Sequence, residues 1–243
     1  MPREFVYIIG GSGTGLPSQS DVDNNILCIM DNLEGLYGWS KKAIAGACGC
    51  FYEESGMNPG IYETSHGGNL NNLPYFPGGM GLAQWTDYPP YTSQYPNPLP
   101  WSAQQENQQW YDGNFQCWLM TKADDANYTS MGYGQGARWG WMTSNNYPSI
   151  SFSNYKTNTS MSVEDAVKYW FFDFEWHYYE IPSWVDFPAR VAWGEYAYAL
   201  MQGQTPEPPG PGPGPGPGPG PEPTPGSRRK MPLWMMLKPL THF

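Results

Sequence analysis

Charge is scarce in this chain. Lys, Arg, Asp and Glu make up 14% of its 243 residues, and 12 basic residues face 22 acidic ones. A net charge of −10 excludes the basic stripe that a nucleic-acid partner favours. It also excludes simple electrostatic attraction to an anionic cell wall. Histidine is rarer still, at positions 66, 177 and 242, and the four Cys are at 28, 48, 50 and 117. Neither a Cys-x-x-Cys nor a Cys/His ligand spacing results, which argues against a zinc site and against zinc-dependent amidase or endopeptidase chemistry. Cys48 and Cys50, two apart on a helix, point in different directions. The four thiols read as small buried hydrophobes of a protein made in a reducing compartment. Long apolar runs are missing too. No stretch reaches the length of a bilayer span, and no secretory signal is visible before Gly10.

What the chain has in quantity is aromatic residues, 16% of the total, with 12 Trp and 18 Tyr. They supply bulky core material, and also flat apolar faces of the kind that stack on sugar rings. Residues 5–9 look like a strand, followed by the Gly-rich run 10–15. That run is not a nucleotide-binding loop. Position 16 is Leu, no Gly-Lys-Ser/Thr closes it, and Pro17 stands where a helix should begin. Residues 1–20 are therefore expected to be a flexible N-terminal segment.

Residues 40–59 organise the domain. Ser40 is an N-cap, and from Ala43 to Phe51 nearly every side chain is small or apolar on all faces, which is the mark of a buried helix. Gly46 and Gly49 weaken that helix by about 1 kcal/mol each relative to Ala, a cost that close approach of neighbouring backbones would offset. Gly56 and Pro59 end the helix near Ser55. Glu53 and Glu54 then lie in its last turn, where the helix dipole and apolar surroundings both disfavour ionisation. Ile44, Ala47, Phe51 and Glu54 share one face; Glu53 points elsewhere. The competing reading is a frayed, solvated helix end carrying two ordinary acids.

Asp21 to Tyr37 reads as the preceding helix, with Ile26, Leu27, Met30, Leu33 and Leu36 on its apolar face. Residues 60–100 are rich in Gly, Asn, Pro and Tyr and predict loops and short strands. Within them, 78–86 combines glycines that let a backbone approach a ligand with Gln84, Trp85 and Thr86 as polar and apolar contacts.

Together, Glu-Glu-Ser-Gly-Met-Asn-Pro at 53–59 and Gly-Met-Gly-Leu-Ala-Gln-Trp-Thr at 79–86 resemble the phage tail lysozyme family. More distantly, they are similar to soluble lytic transglycosylases and goose-type lysozymes. The likeness continues through a helical region at 101–120 and a later helix opened by Ser162 and Asp165, with a Phe-Asp-Phe-Glu element at 172–175. In that element Glu175 reads as a structural ion-pair partner of a base such as Arg190, or as an acid near the cleft. A last helix at 188–201 closes the likeness. Between these helices, 123–159 is a long polar and aromatic loop whose Arg138, Trp139 and Trp141 either face substrate or pack.

The resemblance implies a mainly α, lysozyme-like fold (α+β in the lysozyme sense). It has a central buried helix and a loop-rich lobe at 21–203, then a disordered Pro/Gly linker at 204–226 and a short C-terminal peptide at 227–243. It implies a virion enzyme, made in the host cytoplasm, that cleaves β-1,4 bonds of peptidoglycan with no metal and no cofactor. Glu54 would protonate the leaving oxygen. Glu63 or Asp87 would place water or stabilise positive charge, and Gly81, Gln84, Trp85 and Thr86 would bind the glycan. If neither acid serves, the substrate's own acetamido or hydroxyl group completes the reaction, as in a lytic transglycosylase. A non-catalytic glycan-binding or structural tail component with a degenerate fold remains the reading of a different class. The peptide from Met231 to Phe243, basic and Met-rich, suits docking to another virion protein. Membrane contact is the weaker reading, because Pro232 and Pro239 interrupt any amphipathic helix.

Overall fold

The computed structural model describes residues 3–11, 16–65, 67–86, 95–130, 139–142, 149–175 and 185–210. Asp87, Arg138 and the chain after residue 210, with most of the linker and the whole C-terminal peptide, lie outside the described residues. Among these, the order is β1 (Gly10–Gly11), α1 (Gln19–Tyr37), α2 (Lys41–Ser55), β2 (Ile61–Tyr62), α3 (Pro98–Gln105), α4 (Gly113–Met120), α5 (Ala126–Thr129), α6 (Phe152–Thr157), α7 (Val163–Trp170) and α8 (Phe187–Met201). The fold is mainly helical, as the sequence predicts. Strand structure among the described residues is a two-stranded parallel pair, with Gly10 opposite Ile61 and Gly11 opposite Tyr62, plus isolated bridges. No helix among them is long and apolar enough to cross a membrane.

Helix α2 is the centre. The Ser40 side chain accepts a hydrogen bond from the Ala43 N–H at 3.2 Å, and Gly56 ends the helix in the left-handed region at φ 59°. Every residue from Ala43 to Phe51 is buried, because α1, α6, α7 and α8 all pack around this helix. The two glycines make that possible. A Cβ on Gly46 would sit 2.6 Å from the Ala166 carbonyl oxygen, and one on Gly49 would sit 2.2 Å from that of Arg190. Both are far inside van der Waals contact, so α7 and α8 cross α2 where side chains are missing. On another side, Trp39, Phe51, Tyr155 and Trp170 interlock edge-on or tilted, with Phe51 and Trp170 centred 5.4 Å apart. The Tyr155 hydroxyl donates to the Ala43 carbonyl at 2.7 Å. The four cysteines are free and buried.

Three sequence expectations change. The strand expected at 5–9 is an extended strap without ladder partners, and it is tied down rather than flexible. Asn25 accepts from the Val6 N–H at 2.8 Å and donates to its carbonyl at 2.7 Å. Asn58 does the same for Ile8 at 3.1 and 2.8 Å. Two side-chain amides thus replace a neighbouring strand. The helical region at 101–120 is two helices, because residues 106–112 break it and Asp112 caps α4. The loop at 123–159 contains the short helices α5 and α6, each capped by an Asp or Ser side chain.

Candidate active site

Arg190 is the hub of the site. It rises from the first turns of α8, whose backbone passes Gly49, and its guanidinium reaches the last turn of α2. Nη2 lies 2.6 Å from Glu54 Oε1, and Nη1 lies 3.3 Å from Glu175 Oε2 and donates to the Cys50 carbonyl at 3.2 Å. The three charged side chains are 5%, 8% and 3% exposed for Arg190, Glu54 and Glu175. The helix end is capped rather than frayed; Glu53 is exposed on it, and Glu54 is shielded. Reading the helix end from dipole and burial alone left out the cation that α8 delivers to it.

Glu175 is positioned by an unusual turn. Residues Phe171–Glu175 continue α7 as a π-helical turn, whose wider winding brings residues five apart into line. The Trp170 indole N–H accordingly donates to Glu175 Oε1 at 3.1 Å, and Trp170 stacks on Phe174 at 4.2 Å. Burial pushes the Glu175 carboxyl up to about 8, with Arg190 opposing the shift and Glu54 adding to it. Burial opposes the Arg190 charge, but Glu54 and Glu175 outweigh it and the net shift is upward. Partial desolvation raises Glu53 as well, against Arg190 and with help from Asp186 and Glu54. One cation faces two carboxylates here, and raising Glu175 brings the buried unit closer to electrical balance. That is a smaller charge imbalance to hold out of water. The ion pair between Glu175 and Arg190 is the partnership the sequence suggested.

The second motif packs on the first through residues that sequence reading passed over. Gln116 of α4 donates to the Pro59 carbonyl at 2.8 Å and accepts from the Leu82 N–H at 2.8 Å. It therefore clips 79–86 to the end of 53–59. Asn97 donates to the carbonyls of Gly78 at 2.9 Å and Trp85 at 2.6 Å. The available signal was polarity in the wrong place: Gln116 sits between Phe115 and Cys117, whereas the other polar residue of α4, Asn114, is exposed. Gly81 has φ 73°, and a Cβ there would meet Leu99 and Gln116 at 2.6 and 2.7 Å. Gln84, itself at φ 48°, turns its amide inward to the Gly81 carbonyl at 2.9 Å. Thr86 is half-buried, its hydroxyl 3.4 Å from the Gln84 carbonyl.

Trp85 is 4% exposed and edge-on to Trp139 at 6.1 Å. In this structure its ring is a core side chain, as is that of Trp139; Trp141 packs on Phe152 and Tyr155. The apolar face that sequence assigned to glycan is thus spent on packing. Glu63 is 6% exposed. Its carboxylate accepts from the Ser65 hydroxyl and from the Gly79 N–H at 3.2 Å, so it belongs to the joint between the motifs rather than to the Arg190 cluster. Asp87 lies outside the described residues.

The central helix thus ends in a shielded carboxylate, and a Gly-rich turn is clipped against the loop that follows it. The chain belongs to the phage tail lysozyme family, whose model matches residues 24–201. It is therefore a lysozyme-like, wall-degrading domain of a phage tail, and peptidoglycan is its substrate class. No curated protein matches the chain.

Proposed function

We propose that this domain cleaves the β-1,4 bond between N-acetylmuramic acid and N-acetylglucosamine, with Glu54 as the proton donor to the leaving oxygen. The observation that supports this reading is the division of labour within the Glu54 carboxyl. Oε1 is fixed by Arg190 at 2.6 Å, while Oε2 accepts no hydrogen bond among the described residues. One oxygen sets the orientation, which leaves the other to carry a proton to the glycosidic oxygen. Bond breaking then leaves an oxocarbenium-like sugar. Either water, placed by Glu63 or Asp87, adds at C1 and gives a reducing end, or the substrate's own C6 hydroxyl attacks C1 and gives an anhydro-sugar; in each case the O–H proton released returns to the Glu54 carboxylate.

Mass spectrometry of fragments released from purified peptidoglycan tests this. Reducing ends mean hydrolysis, anhydro ends mean transglycosylation, and free amines from peptide cleavage would overturn the proposal. No fragments from well-folded wild-type protein would favour the non-catalytic tail component. Glu54→Gln should cut the rate by about 10²- to 10⁴-fold, the usual contribution of general acid catalysis. Glu53→Gln should cost far less, and equal losses would refute the assignment.

The peptide from Met231 to Phe243 is read as the docking element to another virion protein, with the Pro/Gly linker at 204–226 letting the domain reach the wall. Deleting residues 227–243 should leave cleavage by the purified protein intact and remove it from assembled particles. Normal incorporation of the truncated chain would refute docking.

A further inference from the structure

We infer that Glu175 is a positioning residue for Glu54 acting through Arg190, and that the three side chains form one charge-sharing unit. In that unit Glu175 sets how much of the guanidinium Glu54 receives. The inference rests on Glu54 being the proton-transferring group proposed above.

The geometry divides one cation between two carboxylates that differ in freedom. Glu175 is the fixed end. Both of its oxygens are engaged, by the Trp170 indole and by Arg190. Trp170 itself cannot shift, being fully buried against Phe51, Trp39 and Phe174. The guanidinium lies 5.4 Å from the centre of the Phe171 ring, in the same π-turn. Glu54 is the end nearest solvent. The two contacts are unequal, 2.6 Å to Glu54 against 3.3 Å to Glu175, as expected when the second carboxyl carries a proton and attracts the cation less. Ionising Glu175 places a second negative charge on the same guanidinium and draws Arg190 inward. Glu54 then loses part of the contact that fixes its Oε1.

The other titratable groups facing the unit are Cys50 and Glu53 from α2, Tyr155 from α6 and Asp186 at the start of α8. Burial pushes Cys50 and Tyr155 well up, so neither ionises near neutrality. Asp173, in the π-turn, bears on Tyr169 instead. Glu53 is exposed but feels the unit, with Arg190 lowering and Glu54 raising its carboxyl against a larger upward push from desolvation.

The test is a carbon-13 carboxyl titration of the full chain, labelled at glutamate, from acid to mildly alkaline pH. The Glu54 carbon should shift as Glu175 ionises, and Glu175→Gln should abolish that shift. In parallel, Glu175→Gln should remove the alkaline limb of the pH profile for glycan release. A merely structural residue would scale the profile without reshaping it. A Glu54 carbon that does not shift as Glu175 ionises, or superimposable profiles for the two proteins, would overturn the inference. If Glu175→Gln does not fold, the wild-type titration alone decides. That shift in a protein that releases no glycan would uphold the charge-sharing unit and refute the cleavage reading.

Discussion

Replacing glycine by alanine at two helical positions should give opposite results. Gly49 lies in α2 where α8 crosses it, and the added methyl would fall 2.2 Å from the Arg190 carbonyl oxygen and 3.0 Å from the Gly194 nitrogen. Both obstacles are backbone, so no rotamer change relieves them and the helices must separate. Overpacking of this kind costs about 1–3 kcal/mol, and a backbone obstacle places it at the upper end. Alanine returns about 1 kcal/mol of helix propensity. The net loss is about 2 kcal/mol, or about 4–8 °C in Tm for a domain of this size. Gly35 lies in α1, exposed, with nothing within 4 Å of its virtual Cβ. There the same substitution should stabilise by about 0.5–1 kcal/mol. Circular dichroism at 222 nm during heating reads both. A Gly49→Ala protein that melts at or above wild type, or a Gly35→Ala protein that falls as far, would refute the close-approach reasoning.

Trp85→Ala should cost about 3–5 kcal/mol as a buried aromatic truncation, melting early while keeping normal activity per folded molecule. Wild-type Tm with lost cleavage would instead give the ring a substrate role. The pH dependence of stability should also carry the mark of Glu175. Its folded value of about 8 lies above the ordinary carboxyl value of 4.5, so the folded state binds the extra proton between those limits. The stability it contributes is full below 4.5 and is lost as pH rises to about 8. The Tm of the wild type minus that of Glu175→Gln should therefore fall across that window and level off above it; a flat difference would refute the shift.

The local signals in the sequence were legible where they were covalent or steric. Ser40, Gly56 and Ser162 cap helices as their chemistry dictates, and Pro188 sits in the first turn of α8. The all-round apolar α2 is buried because nothing on it prefers water. The Gln-rich run 104–109 is exposed, as its polarity dictates. What escaped were contacts between residues far apart in the chain. Asn25 and Asn58 read as ordinary polar residues, and only the strap lying across them reveals their use. Arg190 was visible as a partner for Glu175, but its reach to Glu54 depends on where α8 crosses α2. The π-turn left no compositional mark: Phe-Phe-Asp-Phe-Glu is equally at home in an α-helix, and only the alignment of Trp170 with Glu175 requires the wider winding. The burial of Trp85 could not be read locally, because an aromatic beside a Gly-rich turn has the same sequence signature whether it faces a sugar or a neighbouring indole.

The bond between Arg190 and Glu54 joins residues 136 positions apart. On a ribosome moving at roughly 5–20 residues per second, Glu54 emerges about 7–27 s before its cation is made. During that interval α1 and α2 can already pair, because their contacts are local. The end of α2 has no counter-charge, and the groove beside Gly49 has no helix to fill it. The nascent domain therefore acquires its chemistry only when its final helix docks. A chain that stops short of α8 is left with an unguarded apolar groove beside an unpaired acid, which marks it as a target for chaperones and proteases rather than as a weaker enzyme.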